Sequence, residues 1–396
     1  MNLRQRALIL KLIFKESFQM KLHRILFLSL LLILAVSVTL AASGCAAPTP
    51  QVVRETVVVK EAVPVKETVI AVVTTTPAPA VPGSQVVNVY SARHYGAMEG
   101  VLQRFTQETG IEVRISQGSV QSLLQRLEAE GAQTPADVFM SIDAGGLVVA
   151  AEKGLLQPIT SAVLERNIPE GLRDPENRWF GLSQRIRTIM YNPATVNPEE
   201  LSTYAGLADP KWKGRLCLRP ATHIYTIALV ASMIAESGEA ETETIVKGWV
   251  ENEPQYIDSD TRILETIAAG GCDVALTNHY YLGRKLSEDA NFAVSVFWAN
   301  QNEQGVHRNI SGMGVTAAAR NTENAIRLIE WLSEQGQAAD NSGLPGGNFE
   351  YPVNPNAPVN PIILGFGEFK INPIALTTYG EYQEAAVQLL ERAGYK

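Results

Sequence analysis

Residues 86–140 read VVNVYSARHYGAMEGVLQRFTQETGIEVRISQGSVQSLLQRLEAEGAQTPADVFM, and the alternation of patterns within them decides the fold. Val86–Tyr90 is a short apolar run with the β-branched composition of a strand. It breaks at Ser91-Ala92-Arg93-His94-Tyr95-Gly96. Met98, Val101, Leu102 and Phe105 then recur at helical spacing, and Gly110 closes the element. Val113 and Ile115 mark a second strand, and Leu123, Leu124 and Leu127 form the stripe of a second helix ending near Gly131. Asp137–Met140 reads as a third strand, and helical spacing returns through Leu147 and Ala151. Strand and helix in turn predict an α/β sheet with helices on its faces.

The same alternation runs on toward the C-terminus. Ile227, Ala231 and Ile234 predict a helix beginning near Tyr225. Ile263, Leu264 and Ile267 predict another, stopped by Gly270-Gly271, and Asp273–Thr277 reads as a strand leading into Asn278-His279-Tyr280-Tyr281. Ile326, Ile329 and Trp331-Leu332 describe a late helix. The Pro/Asn-rich stretch 345–361 reads as a surface excursion between elements, since proline cannot donate to a central ladder. Cys217 and Cys272 have no CxxC spacing and cannot alone supply a four-ligand zinc site; a bridge and two buried thiols are both open to them.

Toward the N-terminus the chain changes character. Ile25–Ala42 is eighteen residues without a charge, preceded by Lys21, His23 and Arg24 and followed by Ser43-Gly44-Cys45. Positive flank, apolar run and small-residue exit are the parts of a secretory signal, with a membrane-spanning helix as the competing reading. Residues 1–44 are therefore set aside. Residues 45–85 hold Pro48, Pro50, Pro64, Pro77, Pro79 and Pro82, and no Phe, Tyr or Trp, the composition of a semi-extended tether.

The whole chain has 396 residues and a net charge of −8. Residues 1–44 contain six Lys and Arg and one Glu, so the remainder carries 27 basic against 40 acidic side chains, a net −13. That balance argues against nucleic-acid binding. The 311 residues of 86–396 suit two lobes better than one core. No Gly-x-Ser-x-Gly elbow or Walker-type loop is present, so nothing points to an enzyme.

Tyrosine carries what chemistry is legible. His94-Tyr95, Tyr225 and Tyr280-Tyr281 each fall at a strand-to-helix junction, where open α/β sheets bind ligands. Aromatic stacking on an organic solute and phenolate coordination of a highly charged cation are both open to such residues. With an ordinary pKa near 10, several phenols ionise together only beside a strongly electropositive partner such as ferric iron.

The segment Asn88-Val89-Tyr90-Ser91-Ala92-Arg93-His94-Tyr95 resembles the opening of bacterial ferric-iron substrate-binding proteins of ABC transporters, in their tyrosine-rich cyanobacterial-type branch. Ala136–Phe139, Trp179–Ser183, Trp212–Leu216, Asn278–Tyr281 and Asn309–Val315 are similar to it as well. The resemblance implies an α/β, two-lobe periplasmic-binding-protein type II fold with a hinge and an interlobe metal site. The lobes expected are 86–184 with 308–350, and 185–307 with most of 351–396.

It also implies Fe3+ held by Tyr95, Tyr225, Tyr280 and Tyr281, with His94 as an additional ligand. A synergistic anion such as carbonate would accompany it. Four phenolates on Fe3+ leave a net −1, which Arg93, Arg185, Arg187 or Arg262 could offset. The partners implied are an ABC permease and its ATPase subunits, serving a monomer outside the cytoplasm. Ser43-Gly44-Cys45 is similar to a lipoprotein processing site, implying lipidation at Cys45 and a membrane anchor. Ordinary secretion is the competing reading for Cys45, and an organic-solute-binding lipoprotein is the competing reading for the whole.

Overall fold

The structure, a computed structural model, describes residues 85–93, 97–337 and 348–396, without the side chains of 97–99. The expected signal, Cys45, the tether up to residue 84, and His94-Tyr95 lie outside the described residues. The chain divides into units 1–79 and 80–396, and every described residue belongs to the second.

The opening stretch folds as its pattern predicts: β1 (Val86–Ser91), α1 (Ala97–Thr109), β2 (Glu112–Gln117), α2 (Val120–Glu130), β3 (Val138–Ser141) and α3 (Ala144–Glu152). Gly110, at φ 75°, ends α1 in the left-handed conformation that favours glycine. Ser119 caps α2 by accepting from Ser122 N, and Asp143 caps α3 by accepting from Gly146 N. Val87, Val89 and Phe139 in the strands and Leu123, Leu127 and Leu147 on the helices are buried together. Each such side chain stabilises the fold by roughly 1.5–3 kcal/mol.

After a short helix α4 (Ala162–Asn167), the twelve-residue strand β4 (Phe180–Tyr191) organises the rest. Then come β5 (Leu216–Leu218), α5 (Ile224–Ser237), α6 (Glu239–Glu251), β6 (Gln255–Tyr256), α7 (Asp260–Ala268), β7 (Val274–Asn278) and α8 (His279–Glu288). The chain closes with β8 (Ser295–Phe297), β9 (Arg308–Val315), α9 (Thr322–Ser333), β10 (Tyr351–Pro352), α10 (Pro361–Leu364), α11 (Thr378–Glu381) and α12 (Gln383–Arg392).

The strand order is β2-β1-β3-β9-β4-β7-β5-β6, and β4 belongs to both halves of it. Its first part, Phe180–Ile186, pairs antiparallel with β9, while Arg187–Tyr191 pairs with β7. The returning chain runs beside the changeover, where Arg187 N donates to His307 O at 3.2 Å. Each half buries its own core. One gathers Val87, Phe105, Phe139, Trp179, Met313 and Leu328; the other gathers Ile189, Trp212, Leu229, Trp249, Leu276 and Leu389. Two α/β cores joined by paired crossing strands make a two-lobe fold.

The Pro/Asn-rich stretch differs from its expected role as a surface excursion. Asn348, Phe349, Glu350 and Val353 are buried, and Tyr351 and Pro352 pair with Gln184 and Ser183 at the crossing. Only two residues pair, so proline costs little there, and the Glu350 carboxylate is held inside by arginines. Cys217 and Cys272 are joined by a disulfide, with Cα atoms 6.0 Å apart. No helix among the described residues is long and apolar enough to cross a membrane.

Candidate metal centre

Tyr225 stands in the first turn of α5, as its pattern predicts. The helix starts there because His223 serves as its cap, Nδ1 accepting from Tyr225 N at 3.2 Å. Its ring meets Tyr225 edge-on, with centroids 4.6 Å apart. Burial, reinforced by Arg219 and Arg187, pushes the His223 imidazole down to about 3, so at neutral pH it is an uncharged acceptor.

The second entrance follows β7, whose five residues are all buried. His279 opens α8 and turns into the core. Its Nδ1 accepts from Ile186 N at 3.0 Å, and its ring stacks on Tyr351 at 4.7 Å. Burial brings it down to about 4. The next two residues are Tyr280, fully buried, and Tyr281, half-buried, with ring centroids 4.2 Å apart.

These two entrances converge. The hydroxyls of Tyr225 and Tyr280 lie 3.1 Å apart, although the residues are 55 positions apart in sequence. Three of the five expected ligands therefore occupy one place. Arg284 covers the pair from one turn further along α8, its guanidinium carbon 5.2 Å from the Tyr280 centroid and 5.3 Å from that of Tyr281. A cation over two ring faces is attracted by the negative faces of both rings.

Three of the four arginines expected to offset site charge are buried in ion pairs at the crossing. Arg93 Nη2 pairs with Glu350 at 2.7 Å and Arg185 Nη2 with the same carboxylate at 3.0 Å, all three buried. Ser183 donates to it as well, at 3.0 Å. Burial alone would raise the Glu350 carboxyl, but Arg93 and Arg185 outweigh it and hold it well below the usual carboxylate range. Arg187 pairs with buried Asp260 at 3.2 Å, and Arg219 approaches the same carboxylate at 3.8 Å.

Two arginines thus approach each buried carboxylate, and Arg219 also pairs with exposed Asp258 at 3.0 Å. The guanidinium carbons of Arg185 and Arg187 lie 5.5 and 5.9 Å from the Tyr225 ring centroid. Arg262 is exposed on α7.

The structure thus brings Tyr225, Tyr280 and Tyr281 together; His94 and Tyr95 fall outside the described residues. The described chain stops just short of them at Arg93, which Glu350 holds. Among the described residues, no group of three or more His, Cys, Asp or Glu is placed to hold a metal. Sequence reasoning missed Arg284 and Glu350. The first had a signal, since Arg284 lies three and four residues after the tyrosines and so shares their helix face. The second had none, for its Arg93 partner is 257 residues away.

Residues 90–339 match the model of the bacterial extracellular solute-binding protein family. Iron uptake protein A1 of Synechocystis sp. is 44% identical over 326 residues, 80% of this chain and 89% of that one. A solved structure of the Trichodesmium protein IdiA (FutA), in complex with iron and citrate ligands, is similar at TM-score 0.72 and 41% identity. It covers 78% of this chain and 100% of its own. The ferric binding protein from Campylobacter jejuni gives TM-score 0.74 at 31% identity, over 78% of this chain and 100% of its own.

Proposed function

We propose, from the premise that this chain belongs to the family of bacterial extracellular solute-binding proteins, that it captures Fe3+ outside the cytoplasm for an ABC iron-uptake transporter. The observation that carries this reading is the meeting of the Tyr225 and Tyr280 hydroxyls at 3.1 Å beside Tyr281. Phenolate oxygens are hard anionic donors, and a trivalent cation is the partner that displaces their protons near neutrality. Tyr95 and His94 complete the site from the other lobe. A small anion such as carbonate fills any remaining coordination.

Capture follows from differential binding. Contacts confined to one lobe stabilise open and closed forms alike, whereas ligands drawn from both stabilise only the closed form. The lobes are read as 86–184 with 308–350, and 185–307 with most of 351–396; Leu376 and Tyr379 of the last segment pack in the first core. The closed monomer presents paired lobe surfaces to the permease, which its ATPase subunits drive, and no chemical turnover is assigned. Cys45 carries the lipid anchor, and the tether spaces the lobes from the membrane.

Ferric titration of the full chain in detergent, against a competing chelator, tests this. A phenolate-to-iron absorption band should appear, and should weaken in Tyr280→Phe and Tyr281→Phe. Absence of the band at saturating ferric ion would overturn the reading.

A further inference from the structure

We infer that the Cys217–Cys272 disulfide is a positioning device for the tyrosine cluster, which rests on the ferric reading above. Each cysteine stands eight residues before a tyrosine, Cys217 before Tyr225 and Cys272 before Tyr280. The strands that carry them on are parallel neighbours, with Leu216 opposite Val274 and Cys217 opposite Ala275. Two limbs therefore leave the bridge side by side, one through β5 into α5 and the other through β7 into α8. They meet again where the two hydroxyls lie 3.1 Å apart. Sulfur at the base and hydroxyls at the top close a ring.

The bridge matters because the β5 ladder is short. β5 has three residues, with two registered pairs to β7 and two to the two-residue β6, so the ladder on each side of it is short. Both cysteines are buried in a small core with Met190, Ile263, Leu264, Ile267 and Leu282, against which Tyr281 also packs. On its far side the Tyr225 limb is held by the chain terminus, where Tyr395 Oη donates to Arg219 O at 2.9 Å and Ala221 N donates to Lys396 O at 2.7 Å. The limb is thus pinned from two directions before it reaches the site. Opening the bridge frees one of them, and the phenol oxygens then sample a wider range of separations, which weakens a site that depends on preorganised donors.

The test compares the full chain in detergent with Cys217→Ala/Cys272→Ala and with Cys217→Val/Cys272→Ala, which refills part of the core. Leu123→Ala, in the other core, serves as a control for lost stability. Each is loaded with ferric nitrilotriacetate, and iron release to excess chelator is followed at a temperature where all are folded. Release should be about tenfold faster in both bridge variants, the low end of what outer-shell partners of metal sites contribute, with a shifted band. Leu123→Ala should match the parent chain.

Hydrogen exchange without metal provides the second readout. Amides of 224–226 and 279–281 should exchange faster in the bridge variants, while those of α2 stay unchanged. Lower melting temperatures with unaltered release, or faster exchange confined to β5 and β7, would reduce the bridge to a stabilising staple and overturn the inference. A parent chain without any iron band strikes the ferric reading instead, and the exchange pattern still decides the bridge.

Discussion

The arginine layer around Glu350 and the tyrosine face beside it are both buried and both polar, yet they treat charge in opposite ways. Around Glu350, permanent cations meet a carboxylate that is already ionised. At Tyr225 and Tyr280, two hydroxyls share one hydrogen bond, and a phenol proton is one that a highly charged cation displaces. The difference teaches which polar cluster is architecture and which is available for chemistry. Buried charge with its counterion holds the crossing; the phenol cluster is the part proposed above to receive cargo.

Breaking the first region should have the largest effect. Glu350→Gln leaves Arg93 and Arg185 buried without their carboxylate and should cost about 3–5 kcal/mol in chemical denaturation, the usual penalty for removing one partner of a buried pair. The group also sets an acid limit. Its folded pKa is depressed, so its contribution is present above the ordinary carboxyl value of 4.5 and is lost as pH falls toward about 2. The acid-unfolding curve of Glu350→Gln should lose slope across that window. An unchanged curve would mean that the layer does not hold the crossing.

A smaller effect should sharpen the second region. Arg284→Ala removes the guanidinium over two phenol faces and should weaken ferric binding about tenfold, or roughly 1.4 kcal/mol, with the fold intact. Equal affinity in a chelator competition would assign charge compensation to Arg185 and Arg187 alone.

The smallest effect concerns Glu236, the same residue type as Glu350 but with Asn372 and Asn300 in place of arginines. Burial raises its carboxyl to about 7. Stability from the protonated form is present below the unfolded value of 4.5 and is lost as pH rises through 7. Glu236→Gln should therefore melt slightly higher than the parent chain at pH 8 and match it near pH 5. A difference that does not close on acidification would remove the contrast between the two glutamates.

Much of the fold was legible because period and punctuation report burial along one element. The runs at Val86–Tyr90 and Asp273–Thr277, the stripe Leu123-Leu124-Leu127 and the stops at Gly110 and Gly131 all mark elements seen in the structure. The helix entrances at Tyr225 and Tyr280 were legible for the same reason. Proline and asparagine content misled at 345–361, since composition describes the backbone's freedom and not what a single side chain is paired with. Glu350 is inside because Arg93, just past the end of β1, and Arg185 on β4 meet it there.

By itself the sequence determined the α/β alternation, the junctions at which tyrosines stand and the resemblance that joins them into one ligand set. Tertiary structure alone decided that Tyr225 touches Tyr280, that Cys217 bridges Cys272 and that Arg93, Arg185 and Arg187 are buried in ion pairs at the crossing. Local periodicity can tell which face of an element is buried. Which residues from two elements share that buried space depends on how β4 and the returning chain cross, and only the closed path of the backbone sets that.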